Sequence, residues 1–88
     1  MRQPPEFFED QDLDLVYVAK KLKEAIALEE LFNAAGLDYL VEPDRYKGGV
    51  VFQTERVGAF FYVAPPLSEQ ARALLAREGY RAQEPLNS

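Results

Sequence analysis

The chain has 88 residues, with 15 acidic against 10 basic side chains for a net charge of −5, and neither cysteine nor histidine. That length supports one small core, and the missing residue types exclude disulfides, thiolate metal sites and histidine-based proton transfer near neutral pH. No apolar run approaches the roughly 20 residues that span a bilayer, so the expectation is a cytoplasmic chain with no membrane partner and no cofactor.

The charge is unevenly spread. Residues 1–14 hold Glu6, Glu9, Asp10, Asp12 and Asp14 against Arg2 alone, leaving ten acids and nine bases for the rest. Without a basic stripe there is nothing to attract a phosphate backbone, so nucleic acid is excluded as a partner. Residues 1–12, rich in Pro and acid, are expected to form a flexible arm, residues 13–85 a single α+β domain, and residues 86–88 a frayed tail. Within the arm, Phe7 and Phe8 are expected to pack locally over a sheet edge.

Residues 15–19, LVYVA, read as a strand, with Leu15 and Tyr17 on one face and Val16 and Val18 on the other. Residues 21–35 follow as a helix whose apolar stripe is Ala25, Leu28, Phe32 and Ala35. Gly36 stops it, because a residue without Cβ takes the left-handed conformation readily, and Leu37 folds back on the last turn. Residues 37–41 form a second strand, and residues 42–49, EPDRYKGG, a loop. Residues 50–53 and 59–64 read as the two strands of a hairpin. After Pro65 and Pro66, Ser68 is expected to cap a helix over 69–78, Gly79 stops that helix, and residues 80–83 form a short last strand.

A shift of forty-three positions reproduces this punctuation: Leu31, Phe32, Gly36 and Leu37 map onto Leu74, Leu75, Gly79 and Tyr80. Two strand–helix–Gly–strand units in one short chain predict a ferredoxin-like two-layer sandwich. It would be a split βαβ repeat with an extra hairpin strand and two helices on one face of an antiparallel sheet.

The residues Glu24-Ala25, Leu28, Phe32, Ala35-Gly36-Leu37, Tyr39 and Val41, followed by Tyr62-Val63-Ala64-Pro65, Ala71 and Leu74-Leu75, resemble a family of small bacterial domains classed as prokaryotic signal-transducing proteins. The resemblance covers about residues 15–79 and lies mostly in core positions. It implies a ferredoxin-like fold and a PII-like regulatory role in a family whose function is largely uncharacterised. No ligand-binding residue carries over from it.

Motifs for chemistry are nearly absent. Glu29 and Glu30, or Asp12 and Asp14, are close in sequence and diverge in space, whereas acid–base work needs carboxylates that converge in a cleft. Ser68 and Thr54 have no histidine to activate them, so no catalytic residue is expected. Arg45, Tyr46, Lys47, Gly48 and Gly49 place two cations and an aromatic ring beside a Gly pair, which makes an anion or nucleotide sensor the alternative reading. The leading reading is a non-catalytic regulatory or protein-interaction domain. Its strands are apolar on both faces, so the helix-free sheet face, with Tyr17, Phe60 and Tyr62, is the expected interface for a homodimer or a protein partner.

Overall fold

The structure, a computed structural model, describes residues 1–9, 11–48 and 54–82. A 3-10 turn at Pro5–Phe8 precedes strand β1 (Asp14–Ala19), helix α1 (Leu22–Ala34), strands β2 (Leu40–Gly48) and β3 (Thr54–Val63), and helix α2 (Pro65–Arg77). The three strands form one sheet in the order β1-β3-β2, antiparallel at both pairings. β1 and β2 are therefore parallel to each other with β3 between them.

The two helices stop alike, for a local reason. Gly36 and Gly79 have φ of 72° and 86°, a region that side chains with a Cβ avoid. In α1 the N–H of Leu37 reaches the carbonyl of Phe32 at 3.0 Å and that of Gly36 reaches Asn33 at 3.1 Å. In α2 Tyr80 reaches Leu75 at 2.8 Å and Gly79 reaches Ala76 at 3.1 Å. Each end is a Schellman cap that satisfies carbonyls the helix itself leaves unpaired.

Ala25, Leu28 and Phe32 of α1 and Ala71, Leu74 and Leu75 of α2 share one buried cluster with Val16, Phe61 and Val63 of the sheet. Because Phe61 and Val63 lie two apart on β3, both helices cover the same sheet face. At its centre Phe32 meets Tyr39 and Phe61 edge-on, at 5.4 and 5.9 Å between centroids.

Several sequence expectations change. Residues 42–48, expected as a loop, belong to β2, paired from Leu40↔Tyr62 through Gly48↔Thr54. Pro43 is tolerated because β2 is an edge strand. The strand expected at 37–41 starts only at Leu40, since Leu37 is used to close the α1 cap. Residues 54–58, expected as the hairpin turn, are the first half of β3, and the strand expected at 50–53 lies outside the described residues. Ser68 is not the cap of α2. That helix starts at Pro65 after Ala64, because a proline in the first turn has its φ preset and lacks an N–H that would be unpaired there anyway. Residues 80–82 are not strand, and Gln83 lies outside the described residues.

β1 carries an irregularity that decides which side chains share a face. Leu15 pairs with Tyr62, but Tyr17 pairs with Phe61, so the register slips at Val16. The bulge places Val16 and Tyr17 both on the helix side and leaves Leu15 and Val18 on the other.

Candidate functional site

The acidic arm defines one side of the sheet. Its first residues run beside the start of β2, where Gln3 N–H reaches the Tyr39 carbonyl at 2.8 Å and Tyr39 N–H reaches that of Met1 at 3.2 Å. Its last residues enter β1, at the opposite edge of the sheet. The segment between must cross the sheet. Phe8 is buried yet absent from the helix-side cluster, as is Leu40 on the strand face that carries Tyr62. The crossing therefore runs over the helix-free face.

This arrangement separates the three residues expected to form a sheet interface. Phe60 and Tyr62 lie half-buried on the helix-free face with Leu15, Val18 and Leu40. Tyr17 is on the helix side, edge-on to Tyr80 at 5.6 Å, with its hydroxyl donating to Glu24 Oε2 at 3.1 Å. Burial first, then that hydrogen bond, pushes the Tyr17 hydroxyl up to about 12. Burial also pushes the Tyr62 hydroxyl up, helped by the charges of Glu42 and Asp44.

The residues expected to bind an anion do not form a loop. Arg45, Tyr46, Lys47 and Gly48 pair with Val57, Arg56, Glu55 and Thr54, and Gly49 lies outside the described residues. In a strand, successive N–H groups point to opposite edges, whereas an anion cradle needs them to converge. The exposed Arg45 donates its backbone N–H to Asp44 Oδ1 at 2.7 Å.

The carboxylates have structural work. Glu29 accepts from the Tyr39 hydroxyl at 3.0 Å and lies 3.8 Å from the Arg2 guanidinium. Ser68 Oγ accepts from Arg72 Nε at 3.1 Å, and Arg72 Nη2 reaches the Leu15 carbonyl at 3.3 Å. Among the described residues no group of His, Cys, Asp or Glu is placed to hold a metal ion, and no helix is long and apolar enough to cross a membrane.

An open apolar feature lies where α1 begins. β1 ends at Ala19, opposite Ala59, so residues 54–58 of β3 and their β2 partners project beyond it. There Ala19, Ala25 and Ala59 meet from β1, α1 and β3, and three methyl groups leave unfilled the space that larger side chains would take. The result is an open groove of about 220 Å³, walled by Pro43, Val57 and Leu22 and bordered by Lys20 and Lys21. Leu22 is 77% exposed, Val57 65%, and Ile26, one turn along α1 from Leu22, 49%. The sequence held a signal for this: Leu22 and Ile26 are apolar at i and i+4 but stand off the stripe of Ala25, Leu28 and Phe32. For Val57 and the three alanines it held none, because their meeting depends on strand register.

No protein-family model matches the chain, and no curated protein or solved structure is significantly similar to it.

Proposed function

We propose that this chain is a non-catalytic regulatory and protein-interaction domain that assembles with a second copy through the apolar groove at the start of α1. The observation that carries this reading is the grouping of Leu22, Ile26 and Val57, three large exposed apolar side chains on one small domain. Such contiguous apolar surface marks interaction sites more often than bare solvent-facing protein. The groove is favoured over the helix-free sheet face because the acidic arm already crosses that face and buries Phe8 there. The fold is taken as ferredoxin-like, supported by the order β1-β3-β2, the split βαβ connection and the twin glycine caps.

The test is light scattering over a concentration series, with methyl resonances followed in parallel. The mass should rise from 10.0 kDa toward twice that value, with shifts concentrated at Leu22, Ile26 and Val57. A chain that keeps its monomer mass up to millimolar concentration defeats the reading.

A further inference from the structure

We infer that the groove of one copy is filled by Phe7 of the other, presented on the 3-10 turn of the acidic arm with Glu6 beside it and Glu9 just after the turn. This rests on the homotypic reading above and names both halves of the contact.

The turn Pro5–Phe8 is anchored rather than hanging. Phe8 is buried, Glu9 N–H reaches the Glu6 carbonyl at 3.1 Å, and the Phe7 ring stands edge-on to Phe8 at 5.0 Å and 82°. Phe7 itself is 52% exposed. An aromatic ring held outward by a buried neighbour has little freedom left to lose on binding, which is what makes a protruding residue an effective anchor.

The two halves match in shape and charge. A cavity of about 150 Å³ lined by apolar groups is enough to take benzene, and the groove offers about 220 Å³. Lys20 and Lys21 border it, and Glu6 and Glu9, both exposed, flank Phe7. Opposite charges around a desolvated apolar contact fix its register and steer encounter.

A chain cannot satisfy this contact with its own ring. Phe8 holds the turn against the helix-free face, whereas the groove opens on the helix side, where Ala19, Ala25 and Ala59 belong to or face the helix-side cluster. Two copies can, each ring entering the other's groove, which closes the pair by a twofold axis.

The experiment measures self-association of the full chain and of two variants, Phe7→Ala and Val57→Glu, both at exposed positions where folding is not at stake. Each variant alone should lose at least about tenfold in affinity. Mixing them should give a heterodimer tighter than either variant's homodimer though weaker than the wild-type pair, because the intact groove of Phe7→Ala meets the intact Phe7 of Val57→Glu in one of the two contacts. Reversing charge on one side, Glu6→Lys with Glu9→Lys, should weaken pairing, and adding Lys20→Glu with Lys21→Glu should recover it. A wild-type dimer that Phe7→Ala leaves as tight overturns the ring-in-groove contact while homotypic assembly stands. A wild-type chain that never dimerises overturns both.

Discussion

The Tyr39 hydroxyl donates to Glu29 Oε1 at 3.0 Å, so a fully buried ring at the head of β2 is tied by its one polar atom to α1. Its hydroxyl is pushed up from 10.0 to about 12, by burial first and then by that hydrogen bond and the charge of Glu29. Tyr17 and Glu24 repeat the arrangement at the other end of the helix.

A pH dependence follows from these two tyrosines. Their folded pKa lies above the unfolded value, so the stability they contribute is complete below about pH 10 and is lost as pH rises through about 12. Urea midpoints should be level up to about pH 10 and then fall, and Glu29→Gln should make the fall shallower. A midpoint that stays level to about pH 12 would contradict this.

Phe32 is fully buried and meets Tyr39 and Phe61 edge-on. Phe32→Ala should cost about 3 to 5 kcal/mol, the usual loss for deleting a buried ring and leaving its cavity. Chemical denaturation measures it, and a loss below about 0.5 kcal/mol would place the ring outside the core.

The two glycine caps should respond in parallel. Gly36→Ala and Gly79→Ala each force a Cβ into a left-handed conformation, with φ of 72° and 86° and open space around each position. The expected cost is about 1 to 2 kcal/mol apiece, from backbone strain rather than collision. Unfolding midpoints of the two variants should shift by similar amounts; a shift confined to one would mean that the caps are not equivalent.

The neighbouring phenylalanines of the arm should separate cleanly. Phe8→Ala removes a ring that is 6% exposed and should destabilise the chain by about 3 kcal/mol. Phe7→Ala, at a half-exposed ring, should stay within about 0.5 kcal/mol when measured on the monomer. Equal losses would mean that both rings pack on the sheet.

The features legible from residue order alone are local. Gly36 and Gly79 stop their helices through contacts reaching back no more than five residues, and the stripe of Ala25, Leu28 and Phe32 names the buried side of α1 without knowledge of its partner. The rest depends on how the elements dock, because a strand is defined by what pairs with it. Residues 42–48 carry turn-forming Pro, Asp and Gly, yet they are strand because β3 lies alongside. One slipped pairing at Val16 moves Tyr17 to the opposite face from Phe60 and Tyr62. The groove exists because Ala19, Ala25 and Ala59, forty residues apart at the extremes, are brought together by that register and by the docking of α1.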